Sequence, residues 1–313
     1  MKVWVLADDR AGNVNQLLGV AEALGYPYER KEIVYGRLVR LPNWVRSRTF
    51  VGLASQCKEN LSHDFPDIVL SAGRRSFPIA RAIKRLSKGK TKIIQLMNPL
   101  SGFKDADLIV LPMHDNCRKT ASNIMQVLGT PHRVTAKKLA AEKKHWTQLG
   151  KKYPPKRLSL IVGGATKNKP FTIDMANDLV AAVKNRKPGS VLVTTSRRTP
   201  KEVVSYLQQK LPQPCFFYCF GDKTENPYFG LLSWADEIIV TGDSMSMCTE
   251  CCATGVPVFI FAPDKMMSEK HKRFHQSLYN AGVAVPVGAK IVNKAQTVNP
   301  AQEIADRIKQ IIK

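Results

Sequence analysis

The sequence predicts an α/β protein of two Rossmann-like, doubly wound parallel-sheet domains, and three observations carry that expectation. Short apolar runs rich in Val, Ile and Leu alternate with amphipathic stretches, the order expected of parallel strands covered by helices. The 313 residues exceed what one core usually organises and suit two domains of about 150 residues each. The alternation also starts afresh after Pro154 and Pro155, since consecutive prolines resist helix and strand alike.

The elements follow in order. Val3–Ala7 is an unbroken apolar run closed by Asp8 and Asp9, the form of a buried strand. Residues 14–24 read as a helix stopped by Gly25, 68–71 as a strand, 79–86 as a helix, and 93–96 and 108–111 as two more strands. A basic helical stretch over 136–149 ends at Gly150 and leads into a linker over 151–155. The second half repeats the pattern with segments 158–162, 173–183, 191–194, 203–211, 216–220, 238–241 and 256–261. Helices over 270–281 and 301–312 close the chain, and the last has the reach to cross back onto the first domain. The expected division is residues 1–153 and 156–313.

Composition narrows the class. With 44% hydrophobic and 23% charged residues and no low-complexity tract, the chain has a globular composition. No apolar run approaches the roughly 18 residues that span a bilayer, and the opening residues run into Asp8 and Asp9 instead of a cleavage site. The expectation is a cytoplasmic protein without signal peptide or membrane span. Seven cysteines are an odd, irregularly spaced set, and Cys248, Cys251 and Cys252 have no matching pair at zinc-site distance. Reduced thiols and no metal site are expected.

The charge is the outlier, at +23. Residues 1–156 carry 28 Lys and Arg against 12 Asp and Glu, and residues 157–313 carry 20 against 13. That excess suits anionic partners such as a phospholipid surface or a phosphorylated or lipid-linked molecule. Solvated lysine-rich faces are the plainer alternative. Nucleic acid is disfavoured, because no RNA-recognition signature, zinc finger or helix-turn-helix is evident.

The chemistry-bearing motifs sit at expected strand ends, where open α/β sheets bind ligands. Asp9, Arg10, Gly12 and Asn13 follow the first strand and either face a cleft or, for Asn13, cap the next helix. Arg74 and Arg75 follow another strand, placing two guanidinium groups and backbone donors near one anion, or forming an exposed basic turn. His114 and Asp115 follow Leu111-Pro112-Met113 and have the side chains for acid-base work if they orient toward each other.

In the second half, Gly163 and Gly164 end a strand in a turn that lets a ligand approach the backbone. Thr195, Ser196, Arg197 and Arg198, followed by Thr199-Pro200, offer hydroxyls and guanidiniums suited to a diphosphate. The segment 239–258 reads as strand, polar turn at Asp243 and Ser244, short helix, glycine stop and strand. Its helix N-terminus can receive a phosphate, and Glu250, four residues after Ser246 on the same face, can accept hydrogen bonds from a ribose. A capped core helix with a solvated Glu250 is the alternative.

Taken together, these residues resemble the mitochondrial fission family named for elongated mitochondria, which has bacterial members and is regarded as glycosyltransferase-B-like. The resemblance spans nearly the whole chain: the first loop, Ala72-Gly73-Arg74-Arg75, Val110-Leu111-Pro112-Met113-His114-Asp115, Ser196-Arg197-Arg198-Thr199-Pro200, Glu225-Asn226-Pro227-Tyr228, Val240-Thr241-Gly242-Asp243-Ser244 and Phe274-His275. The family pattern in the first loop usually has His where Asn13 stands here. Asn is no general base at neutral pH, so either Asp9, His114 or Asp115 does that work or the chain binds without catalysing. The segment 246–257 is similar to the donor-site helix of the peptidoglycan N-acetylglucosaminyltransferase, and Glu250 falls at that enzyme's ribose-holding glutamate.

The resemblance implies two glycosyltransferase-B domains flanking a cleft, the first on the acceptor side and the second holding a nucleotide sugar. It implies metal-independent transfer of a sugar from a nucleotide diphosphate donor, a co-substrate and not a cofactor, to a hydroxyl acceptor. Asn226 and Tyr228 would lie near the base or sugar. The basic N-terminal half suits a lipid-linked or envelope-associated acceptor and peripheral attachment to an anionic membrane surface on its cytoplasmic face. The competing expectation is a non-catalytic recruitment protein that uses the same fold as a binding platform.

Overall fold

Val3–Ala7 (β1) is buried at all five positions, as a strand covered by helices on both sheet faces must be. The computed structural model describes residues 1–115, 117, 121–166, 169–290 and 296–312. They divide into two units, Met1–Arg133 with Asn299–Lys313, and Val134–Val298.

In the first unit β1 leads into α1 (Ala11–Leu24), which stops at Gly25 with φ +74°, a left-handed position that glycine takes without a Cβ penalty. Then come β2 (Tyr28–Glu32), the short helices α2 (Asn43–Arg46) and α3 (Ser55–Glu59), and β3 (Ile68–Ala72). Helix α4 (Gly73–Leu86) starts directly at the end of β3 and is followed by β4 (Lys92–Leu96), β5 (Leu108–Pro112) and β6 (Ile124–Val127). The strands form one parallel sheet in the order β2-β1-β3-β4-β5-β6.

Pro78 lies inside α4 and has no N–H to return to the Arg74 carbonyl one turn earlier. Asn43 Nδ2 of α2 donates to that carbonyl instead, at 2.9 Å. The same amide donates to Pro99 O at 3.1 Å. Helix α2 is therefore pinned to the N-terminal turn of α4.

The second unit starts with α5 (Ala136–His145) and α6 (Thr147–Lys152). It continues through β7 (Arg157–Val162), α7 (Ile173–Asn185), β8 (Ser190–Thr195), α8 (Lys201–Lys210), β9 (Cys215–Tyr218) and α9 (Tyr228–Trp234). After β10 (Glu237–Thr241), α10 (Met245–Cys252), β11 (Val258–Phe261), α11 (Glu269–Asn280) and β12 (Val285–Pro286), the parallel order is β12-β11-β10-β7-β8-β9. Helix α12 (Pro300–Ile312) belongs to the first unit, where Ile304, Ala305 and Ile308 join the core that contains Leu17 and Val20 of α1.

The boundary falls before α5, earlier than the proline pair suggests. Helices α5 and α6 are fastened to α9 by indole-on-glycine contacts. A Cβ on Gly150 would lie 2.1 Å from Trp234, and one on Gly230 would lie 2.4 Å from Trp146. Pro154 and Pro155 are a corner inside the unit, where Ser190 Oγ donates to Pro154 O at 2.7 Å. All seven cysteines are free. Among the described residues no helix is long and apolar enough to cross a membrane.

Candidate functional site

Helix α1 begins at Ala11, so Gly12 and Asn13 lie in its first turn and Arg10 occupies the N-cap position. The loop after β1 is thus shorter than the sequence reading placed it, and Asn13 is not the cap. Asn13 Nδ2 instead lies 3.7 Å from where a Cβ on Gly73 would stand, beside the start of α4. Asp8 holds the turn by accepting from Arg10 N at 3.0 Å.

Arg75 ties the two strand ends together. Its guanidinium pairs with Asp8 at 3.0 Å and with the Asp9 carboxylate, and it lies 4.6 Å over the Tyr35 ring. Hydrogen bonding from Arg75 holds the Asp9 carboxyl below its ordinary range, so Asp9 is ionised but weakly basic. Asp8, Asp9, Glu32, Tyr35, Arg37 and Arg75 line part of a cavity of about 830 Å³ in this unit. The structure thus gathers Asp9, Arg10, Asn13 and Arg75 at the ends of β1 and β3, and Arg74 is exposed one residue away.

His114 and Asp115 do not join them. They occupy a 3₁₀ turn, Met113–Asp115, after β5. Strand order puts three inter-strand spacings, roughly 14 Å, between the ends of β1 and β5. His114 is buried, with its Nε2 at 3.8 Å from Asp115 Oδ1, beyond hydrogen-bond reach. Of the three candidate bases, Asp9 is the one on the cavity wall.

In the second unit the glycine turn after β7 is filled by the protein itself. A Cβ on Gly163 would stand 2.0 Å from Asp243 Oδ1, and one on Gly164 would stand 2.1 Å from the Arg198 backbone. The expected close approach of a ligand to these glycines is taken by Asp243 and Arg198. Asp243 accepts from Gly164 N at 2.9 Å, from Thr241 Oγ1 at 2.8 Å and from Arg198 Nη2 at 3.0 Å. Burial pushes its carboxyl up against those contacts. Asp243 therefore joins β7, β8 and β10 from the inside and does not present itself to solvent.

The turn after β8 is self-braced. Thr199 Oγ1 receives Ser196 N at 2.9 Å, and Ser196 Oγ receives Arg198 N at 3.2 Å. Thr195 is buried, and its hydroxyl accepts from Phe220 N at 2.9 Å. Arg197 is exposed and, among the described residues, makes no side-chain hydrogen bond or ion pair. Ser244 caps α10 by accepting from Met247 N at 3.4 Å, and Ser246 lies in its first turn.

Glu250 faces Tyr228 across the unit. Asn226 Oδ1 accepts from Tyr228 N at 3.0 Å, setting the start of α9, and the Tyr228 hydroxyl donates to Glu250 Oε2. Burial pushes the Glu250 carboxyl up to about 7, opposed by the Tyr228 hydrogen bond and by Lys138. The solvated Glu250 of the plainer sequence reading is thereby excluded. The arrangement offers an anion one guanidinium, one hydroxyl and a capped helix N-terminus, and offers a hydroxylated ligand a carboxyl already paired with a phenol.

Sequence reasoning missed Asp8, Tyr35 and the Glu250–Tyr228 pairing. Asp8 could have been found, since Asp8-Asp9 and Arg74-Arg75 are opposite-charge pairs that follow β1 and β3, neighbours in the sheet. Tyr35 lies in an irregular stretch without a periodic signal.

The sequence profile of mitochondrial fission ELM1 matches residues 11–312. The chain belongs to that family. An uncharacterized protein of Rickettsia prowazekii is 28% identical over 360 aligned residues, covering 100% of this chain and 99% of its own. The mitochondrial fission protein ELM1 of Arabidopsis thaliana is 26% identical over 255 aligned residues, covering 74% of the ELM1-family chain described here and 60% of the plant protein. Among solved structures, the UDP-GlcNAc 2-epimerase of Neisseria meningitidis bound to UDP-GlcNAc matches with a TM-score of 0.53 at 14% identity, covering 100% of this chain and 91% of that one. The kitacinnamycin glycosyltransferase gives 0.53 at 13%, with coverage of 100% and 91%. An Anabaena protein, HepE, in complex with UDP and glucose gives 0.51 at 12%, with coverage of 100% and 90%. Likeness at such identities is one of fold, and with the two six-stranded parallel sheets it gives this ELM1-family chain the glycosyltransferase-B architecture.

Proposed function

We propose that the ELM1-family chain transfers a sugar from a nucleotide diphosphate donor to a hydroxyl acceptor. The observation that carries the proposal is that the turns after β8 and β10, joined by the Arg198–Asp243 pair, carry the exposed Arg197 and the Ser244-capped start of α10, with the Glu250–Tyr228 pair in the last turn of that helix. These groups match the parts of one ligand: guanidinium and helix N-terminus for the diphosphate, carboxyl for a ribose diol. Structural neighbours bound to UDP or a UDP sugar support a donor of this kind.

In the reaction the acceptor oxygen forms a bond to the anomeric carbon while the bond from that carbon to the diphosphate breaks. The acceptor proton passes to a base, and the nucleoside diphosphate leaves against Arg197 and α10. Asp9, on the wall of the first unit's cavity, is the proposed base, and release from Arg75 would restore the basicity that the pairing withholds. Incubation with a panel of nucleotide sugars and a lipid extract tests this. Nucleoside diphosphate release and a labelled acceptor are expected from the wild type and lost in Asp9→Asn; release unchanged by that substitution would remove Asp9 from the role.

A second reading is favoured by two observations, an Asn at position 13, which is no general base, and the engagement of Asp9 by Arg75. In it the chain binds a nucleotide and recruits a partner at a membrane face without turnover. Nucleotide binding with no release from any donor would select it.

A further inference from the structure

Between Glu32 and Glu59 the chain carries no acidic residue, and it carries Arg37, Arg40, Arg46, Arg48 and Lys58. The same stretch holds Val34, Leu38, Val45 and Val51, exposed at 48%, 56%, 42% and 37%, and beside it stands Leu100 at 64%. Single exposed apolar side chains are ordinary, but five on interlocked segments make a patch.

The segments are interlocked by specific bonds. Gly36 N donates to Gly52 O at 2.9 Å and Ala54 N to Val34 O at 3.0 Å, so residues 34–39 lie against 50–54. Arg46 is fully buried and donates to Val51 O at 3.2 Å and Arg75 O at 2.9 Å. Asn43, by bonding Pro99 O, draws in the loop that carries Leu100. In that loop Asn98 Oδ1 accepts from Leu100 N at 2.8 Å, and Leu100 itself is left-handed at φ 69°. Apolar tips on such a frame are held outward by structure and not by fraying.

Around the tips the acidic groups are paired, Asp8 and Asp9 with Arg75 and Glu32 with Arg30, which leaves unpaired charge of one sign. Arg48 is neutralised by Asp105 at 2.5 Å, but among the described residues neither Arg37 nor Arg40 forms an ion pair, and both are exposed. A second copy of this chain would bring like charges together, and a nucleic acid would leave the apolar tips in water. A surface that is anionic outside and apolar beneath satisfies both sets of groups.

We propose that this face of the first unit docks on an anionic lipid bilayer, with Leu38, Leu100 and the neighbouring valines entering the headgroup–acyl boundary and Arg37 and Arg40 meeting lipid phosphates. The inference goes beyond sugar transfer and does not depend on it. The test is flotation of the full chain with vesicles of phosphatidylcholine alone or mixed with phosphatidylglycerol. Wild type floats with the mixed vesicles and not with the neutral ones. Leu38→Ser with Leu100→Asn, and separately Arg37→Gln with Arg40→Gln, each reduce binding by about tenfold or more, while thermal unfolding shows that both variants stay folded.

Failure to float with anionic vesicles, equal binding to neutral ones, or indifference to either pair of substitutions overturns the proposal. So does retention on an RNA homopolymer that the arginine pair abolishes and the leucine pair leaves intact. Glu250→Ala keeps vesicle binding, so loss of nucleotide binding and loss of membrane docking are separate outcomes.

Discussion

The Tyr228 hydroxyl donates to the Glu250 carboxyl, joining the first turn of α9 to the last turn of α10. The bond explains how a half-buried carboxyl is kept in the second unit, and burial still leaves its titration near neutrality. A ribose diol at Glu250 would have to share or replace the phenol.

This pair predicts a pH effect whose sign can be worked out. Glu250 titrates at about 7 in the fold against 4.5 in the open chain. Between those values the native state binds more protons, so stability falls as pH rises from about 4.5 to 7, by at most about 3 kcal/mol. His275 works in the opposite direction. Burial pushes it down to about 4 from 6.5, so its contribution is complete above 6.5 and is lost as pH falls toward 4. Over pH 4.5 to 6.5 the two offset each other. Urea unfolding of Glu250→Gln should expose the His275 slope, with the variant gaining on wild type by about 2 to 3 kcal/mol between pH 4.5 and 8. A pH-independent difference between the two proteins would show that Glu250 is not held as described.

Gly163→Ala should destabilise the second unit by about 2 kcal/mol or more, because the new methyl meets Asp243 Oδ1 at 2.0 Å. Asp243→Ala alone strands Arg198 and Gly164 N. The double variant should cost less than the sum of the singles, since the collision is gone. Strict additivity in denaturant unfolding would place the two residues apart.

A fragment of residues 134–298 should unfold cooperatively by itself, and one of 156–298 should not. The shorter piece removes α5 and α6, uncovering the Trp234 face that Gly150 packs against. Near-ultraviolet circular dichroism of the two fragments checks this, and equal cooperativity would return the boundary to the proline pair.

The sheets were legible because their strands are apolar runs buried on both faces, as in β1, β5 and β8. The edge strand β2 was not, since Tyr28–Glu32 is almost wholly exposed and reads as a charged loop. The start of α4 was hidden by Pro78, whose missing hydrogen bond is supplied by Asn43 from a distant segment. In the site, the helix at 245–252 and its capping Ser244 were local and readable. Whether Gly163 faced a ligand or Asp243 depended on a contact 80 residues away in sequence, which no local pattern encodes.

The central claim is a nucleoside diphosphate site on the second unit, and titration calorimetry with UDP, GDP, CDP and ADP, on wild type, Arg197→Ala and Glu250→Ala, tests it most directly. The account predicts saturable binding of one of these by the wild type, weakened by about tenfold or more in each variant. No heat of binding from any of the four at millimolar concentration, or binding that both variants retain unchanged, would contradict it.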